Sequence, residues 1–257
     1  MPTQFQVMIK ENPDRLSDTG AALFAESAGH AIKRKGVFTV ALSGGSTPRG
    51  MHQRLAEEPF YSSISWDKTH FFWVDERCVP VEDPASNYGT AHKDFIDRLP
   101  FFKENIHPMP VHMAPDEGAI QYQKEIIDFF GSGTHEIPVF DLILLGIGTD
   151  GHTASLFPET PALQEQKKLI SMVKAGNPNV NRLTMTYPIL NRARKVVFLA
   201  SGKGKAEIIQ AILEKNQRGL PALGIQPRSG KLVWLLDREA ASLLPMDQRS
   251  DFVGSYP

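Results

Sequence analysis

Apolar residues along this chain alternate between two rhythms, short continuous runs and longer stretches at helical spacing. The runs 37–42, 142–145, 196–200 and 232–236 are nearly uninterrupted, the pattern of strands covered on both faces. Further strands are predicted at 5–9, 69–74, 169–173 and 182–186. Between the first two of these eight, residues 14–35 carry Leu16, Leu23, Phe24, Ala28 and Ile32 at helical intervals and stop at Gly36. Helices are also predicted over 48–56, where Pro48 suits a first helical position, over 88–99, over 116–130, from Lys203 to about 213, and briefly after Asp237. Strands alternating with helices in this way predict an α/β fold: a doubly wound, Rossmann-like, mostly parallel sheet with helices on both faces. No repeat or low-complexity linker divides the chain, so 1–257 reads as a single domain.

In an open parallel sheet the carboxyl ends of all strands lie on one edge, and ligands bind in the crevice there. Four segments rich in small, polar and ionisable residues each follow a predicted strand directly: 43–48, 75–77, 146–152 and 201–205. The predicted topology therefore brings them to one edge, and their shared placement carries more weight than any one of them.

The most informative is residues 140–158, FDLILLGIGTDGHTASLFP. A buried strand breaks at Gly146, Gly148 and Gly151 and delivers Asp150 and His152 just beyond its end, with a helix start predicted next. The glycines also match G-x-G-x-x-G, but a dinucleotide site requires a long helix at the third glycine and an acidic residue about 20 residues on. Pro158 interrupts within two turns, and the run 169–173 ends in Lys174 and Ala175, so the glycines are read as making room around His152. An imidazole titrates near ~6.5 and is suited to proton transfer at neutral pH. Asp150 either orients that ring or caps the following turn. The other histidines, His30, His52, His70, His92, His107, His112 and His135, have no supporting pattern and are read as structural or exposed.

Ser43, Gly44, Gly45, Ser46 and Thr47 suit an oxyanion: glycines admit close backbone approach, hydroxyls donate, and a helix start presents free N–H groups. A tight turn with a hydroxyl cap explains the same residues equally well. Lys203 and Lys205 sit where the helix dipole disfavours cations, which points to an anionic partner, although a solvated pair is the simpler account of either alone. Arg77 and Arg182 are further cationic candidates, with surface ion pairing as the default.

Composition narrows the field. Net charge is −1, so no global field favours nucleic acid or an anionic membrane, and an anion must be held locally. The single cysteine, Cys78, excludes an internal disulfide and reads as a packed side chain beside Arg77. No apolar run approaches the 18 or so residues of a membrane span, and the N-terminal stretch lacks a signal-peptide pattern, so a soluble, cytoplasmic protein is expected. There is no H-E-x-x-H, no cysteine pair and no G-x-S-x-G, hence no expected metal, cofactor or serine nucleophile.

Taken together, Leu42-Ser43-Gly44-Gly45-Ser46-Thr47-Pro48, Trp73-Val74-Asp75-Glu76-Arg77, Ser86-Asn87-Tyr88, the segment from Gly146 to Pro158, and Ser201-Gly202-Lys203-Gly204-Lys205-Ala206 resemble the glucosamine-6-phosphate isomerase/6-phosphogluconolactonase family over nearly the whole chain. The resemblance implies that His152 is a general base and that Ser43 to Thr47, Lys205 and Arg182 meet a sugar phosphate. It also implies a metal-independent lactone hydrolysis in the oxidative pentose phosphate pathway. Asp75 matches the proton-transfer aspartate of the deaminase branch, which continues G-H-I-A-F-N-E-P, whereas this chain has Phe157 at the glutamate's place. The expected ligand is a small sugar-phosphate lactone, with Arg77 or backbone N–H groups near Gly148 to Gly151 on the oxyanion. A homo-oligomer is allowed. A sugar-phosphate-sensing module without catalysis is the reading from another class, set against by the complete histidine segment and the lack of an attached basic helix-turn-helix.

Overall fold

A computed structural model of the protein describes residues 3–100, 102–133, 136–214, 217 and 219–256. In chain order the strands are β1 (Gln4–Lys10), β2 (Phe38–Leu42), β3 (Thr69–Trp73), β4 (Asp75–Arg77), β5 (Ile106–His107), β6 (Leu142–Leu145), β7 (Ile170–Ala175), β8 (Val180–Met185), β9 (Lys195–Ala200), β10 (Lys231–Asp237) and β11 (Phe252–Ser255). Eight of them form one sheet in the order β11-β1-β10-β9-β6-β2-β3-β5, parallel throughout except for β11, which runs antiparallel to β1.

Both faces are covered, as the uninterrupted runs require. Every residue of β2 and β6 is buried, and so is every residue of β10 after Lys231. Neighbouring side chains on β3 show the two layers, since successive strand residues point to opposite faces. Phe71 meets Phe24 of the helix Pro13–Lys35 with ring centroids 6.3 Å apart, while Phe72 meets Phe129 of the helix Pro115–Phe130 at 5.3 Å. The first helix is well delimited by its sequence: Asn12 caps it by accepting from the Arg15 N–H at 2.9 Å, and Gly36 closes it in the left-handed conformation at φ 79°. Among the described residues no helix is long and apolar enough to cross a membrane.

The winding reverses between β2 and β6. From β2 the chain proceeds outward through β3 to β5, and from β6 outward the other way through β9 to β10. The four functional segments predicted from sequence follow β2, β3, β6 and β9, four strands adjacent in the sheet and straddling this switch point.

Three expectations are corrected. The predicted strands 169–173 and 182–186 do not enter the main sheet; β7 and β8 form an antiparallel hairpin that pairs with β4 in a second sheet, order β4-β8-β7. β7 is the edge of this sheet, with Met172 and Lys174 exposed, whereas β8 lies at its centre and is buried from Arg182 to Met185. The helix predicted over 88–99 ends at Asp94 and passes through Phe95 into a separate turn of 3₁₀ helix, Ile96–Arg98. No helix starts after His152: Thr153 and Leu156 bridge antiparallel across a tight turn in which Ala154 has φ 49°.

Candidate active site

The crevice at the switch point has a volume of about 210 Å³ and is lined by all four segments. Ser43 to Thr47, Asp75, Arg77, His152, Arg182 and Lys205 border it together with Asn87. Of the residues singled out from sequence, Asp150 and Lys203 do not line it. Asp150 stands behind His152, whereas the exposed Lys203 gives its backbone N–H to Glu239 at 3.3 Å.

The base candidate is built by its own loop. Asp150 Oδ1 accepts the His152 backbone N–H at 3.1 Å and faces Nδ1 at 2.6 Å. Burial raises the Asp150 pKa, but its hydrogen bonds and charge interaction with His152 outweigh that and hold it below the usual aspartate value. A carboxylate can only accept, so Nδ1 carries the hydrogen, and in the neutral ring Nε2 keeps its lone pair. Asp150 thus meets the ring nitrogen and caps the turn through the same oxygen. Gly148 makes the arrangement sterically possible, since a Cβ there would overlap His152 Nδ1 and come within 2.5 Å of Asp150 Oδ1. The loop consumes its own donors: the Gly148 N–H bonds His152 O at 2.8 Å, and the Gly151 N–H bonds Gly148 O at 3.0 Å. Those two groups are therefore not available to a ligand oxyanion, which narrows the expected donors in this stretch.

The helix after the first loop carries no hydroxyl cap. Helix Ser46–Leu55 begins at Gly45, with φ 105° and no side-chain cap, so its first-turn N–H groups face the crevice unclaimed by a hydroxyl. Gly44 is required for a different reason: any side chain would collide with the Asn87 amide.

The cationic wall comes from the second sheet. β4 continues β3 after Val74, and its ladder with β8 sets Asp75 opposite Thr184 and Arg77 opposite Arg182. Alternation along β4 puts Asp75 and Arg77 on one side and Glu76 on the other. Asp75 is held by Ser155 Oγ at 2.6 Å and by Asn87 Nδ2 at 3.1 Å. Arg77 Nη1 donates to Ala85 O at 3.0 Å and to Asn87 Oδ1. Arg182, 4% exposed, is anchored through Nε to Ala175 O at 3.0 Å; burial, then the nearby Arg77, push its pKa down. Lys205 reaches in from the far side, its Nζ 2.7 Å from Ile147 O, with its pKa lowered by burial. Its loop is tied by Asp237, which accepts from Ser201 Oγ at 2.5 Å and from the Gly202 N–H at 3.0 Å.

Three buried supports were not among the sequence candidates: Glu76, Asn87 and Ser155. Glu76 Oε1 accepts the N–H groups of Arg77 and Asn87 at 2.7 and 2.8 Å, and Oε2 accepts the Tyr88 N–H at 2.7 Å and Ser86 Oγ at 3.1 Å. The only available signal was their presence in D-E-R, S-N-Y and T-A-S beside the named residues. The other histidines stay outside the crevice lining: His52 stacks on Phe95 and burial lowers it to about 4, His70 bonds His107 at 3.1 Å, and His30 and His92 face Glu26 and Asp97. His112 is exposed, and His135 lies outside the described residues. Burial raises the Cys78 thiol, in keeping with a packed side chain.

Fold and site together define an α/β protein with a crevice bordered by Arg77, Arg182 and Lys205 and a histidine paired with a carboxylate at the switch point of a doubly wound sheet. The sequence profile of the glucosamine-6-phosphate isomerases/6-phosphogluconolactonase matches residues 11–234. The chain belongs to that family. It is 45% identical over 218 residues to a 6-phosphogluconolactonase of Synechocystis sp., covering 83% of this chain and 88% of the relative. It is 36% identical to the 6-phosphogluconolactonase of Bos taurus, covering 97% and 98%. Among solved structures, 6-phosphogluconolactonase from Trypanosoma cruzi superposes with a TM-score of 0.85 at 29% identity, covering 95% of this chain and 98% of that one.

Proposed function

We propose that the protein hydrolyses 6-phospho-D-glucono-1,5-lactone to 6-phospho-D-gluconate, the lactone-opening step of the oxidative pentose phosphate pathway, with His152 as general base. The observation that carries this reading is His152 itself: its Nδ1 is committed to Asp150, Nε2 is bare, and the ring borders the same crevice as Arg77, Arg182 and Lys205. Nε2 takes a proton from water as the water oxygen bonds to the lactone carbonyl carbon. The electron pair moves to the carbonyl oxygen, and the guanidinium N–H groups of Arg77 stabilise the resulting oxyanion; one such donor contributes about 3–4 kcal/mol. Collapse breaks the bond to the ring oxygen, which recovers the proton from the imidazolium, and the carboxylic acid so formed releases its remaining proton to solvent as the carboxylate.

The phosphate end is assigned to the Ser43–Thr47 loop, the first turn of helix Ser46–Leu55 and Lys205. These groups position the substrate more than they alter its chemistry. The deaminase branch is the alternative. Against it stands Phe157, an apolar ring stacked on His152 where that branch places a carboxylate.

The test is hydrolysis of freshly generated lactone, corrected for spontaneous opening. Turnover by the intact protein that drops by about 10²-fold or more in a folded His152→Ala variant is expected. An inactive intact protein that instead converts glucosamine 6-phosphate would replace this reading with the deaminase one.

A further inference from the structure

We propose that Phe157 is a positioning residue for His152: its ring sets the plane of the imidazole, while Asp150 sets its edge. The inference rests on the hydrolytic role of His152 given above. A single hydrogen bond from Nδ1 to Asp150 fixes one atom of the ring and leaves a coupled change of the two side-chain torsions by which the ring plane can tilt. Removing this freedom requires a contact on the face. Phe157 supplies it, with ring centroids 4.2 Å apart and planes inclined by 26°. Phe157 is only 8% exposed.

The backbone is shaped for this contact. Residues five apart on an α-helix lie about 140° apart around its axis and do not stack, since each residue advances roughly 100°. The bridge between Thr153 and Leu156, with Ala154 at φ 49°, turns the chain back so that residue 157 returns over residue 152. The departure from the helix predicted after His152 is therefore what makes the stacking possible.

The same phenyl ring also meets Arg182, whose Cζ lies 5.2 Å from the ring centroid. Gly176, at φ +89°, leaves room for both groups, because a Cβ there would stand 2.5 Å from Arg182 Nη2 and 3.1 Å from Phe157 Cζ. Base and cation are thus packed against one buried ring, and their separation cannot change without loss of one of the two contacts. The ring suits the charge that develops as well. When Nε2 takes a proton, a second cation forms near Arg182, and an aromatic face attracts cations whereas an aliphatic side chain does not.

The experiment combines turnover with the imidazole resonances of His152, assigned by their disappearance in His152→Ala. Ring current from a stacked phenyl displaces the imidazole protons, so Phe157→Leu and Phe157→Met are expected to move these signals, and Phe157→Tyr to retain them. In the Leu and Met variants kcat is expected to fall roughly ten- to a hundredfold, the scale of a misplaced catalytic group. Affinity for 6-phosphogluconate is expected to change by less than the fall in kcat, and the Tyr variant to restore kcat. Unmoved imidazole signals in both aliphatic variants, or full kcat in either, would overturn the proposal. Absence of lactone hydrolysis in the intact protein would refute the reaction instead, while the resonances would still decide whether the phenyl stacks on the imidazole.

Discussion

Arg77 stands directly opposite Arg182 in the antiparallel ladder of β4 and β8, two cations facing one another at the wall of the crevice. Like charges in facing positions destabilise a sheet. Arg182 has in addition surrendered almost all of its exposure to water, and its lowered pKa records both effects. The fold tolerates the pair by tethering each guanidinium to backbone carbonyls, Ala175 O for Arg182 and Ala85 O for Arg77. An anion entering the crevice gains two prepositioned cations.

Replacing Arg182 by Leu is therefore expected to separate stability from binding. Removal of a buried charge facing another of like sign leaves the melting temperature unchanged or raises it. Affinity for 6-phosphogluconate should weaken by at least about tenfold, the cost of losing a charge-assisted contact. Calorimetric titration beside a thermal melt checks both; a variant that binds normally would remove Arg182 from the ligand site.

Gly148→Ala is expected to reduce kcat by about 10²-fold while the protein remains folded, because the added methyl overlaps the imidazole and approaches the Asp150 carboxylate. Steady-state rates on freshly prepared lactone decide the matter. Wild-type turnover in this variant would mean that His152 works from some other position.

Glu76→Gln tests the support beneath Arg77 and Asn87. Four donors share the two carboxylate oxygens, and an amide nitrogen in place of either oxygen strands two of them. The expected loss is about 2–4 kcal/mol in urea denaturation, from one to two kcal/mol per stranded buried donor. KM should rise with it, since Arg77 and Asn87 lose their anchor. A variant as stable as the parent would show that the cluster is dispensable.

Burial lowers the Lys205 pKa from its ordinary 10.5, so the folded protein loses this cation at a lower pH than a free lysine would. The sign follows: affinity for 6-phosphogluconate declines as pH rises, and the decline begins below the usual lysine range. Lys205→Arg should shift the decline to higher pH, and Lys203→Ala, which removes a side chain outside the crevice lining, should leave affinity within about twofold. Binding titrations across alkaline pH would contradict the assignment if Lys203→Ala proved the more damaging change.

Much of this architecture was legible in the chain. The buried runs that became β2, β6, β9 and β10 had no solvent-facing positions, and a strand covered on both faces must be continuously apolar. The parallel order then obliged the segments after Leu42, Trp73, Leu145 and Ala200 to meet at one edge, which is how Ser43 to Thr47, His152 and Lys205 were found. Gly36 ended the first helix through backbone freedom, a local property, whereas the Asn12 cap at its start was not singled out from sequence.

The tertiary structure decided what local pattern does not encode. That 169–173 and 182–186 leave the main sheet for a hairpin against β4 depends on which edge is free to pair, a property of the assembled fold. The opposition of Arg77 and Arg182 is a consequence of that register, between residues about a hundred positions apart. Glu76 and Lys203 look alike in sequence, charged residues beside a motif, yet one gathers four donors in the interior and the other stays outside the crevice lining. The turn after His152 was misread as a helix start because glycine-rich strand ends usually lead into one; the Thr153–Leu156 bridge and the stacking of Phe157 on the imidazole hold it otherwise. Amino-acid order specified which segments converge, through burial and strand direction, and packing across long sequence separations specified how their side chains face one another.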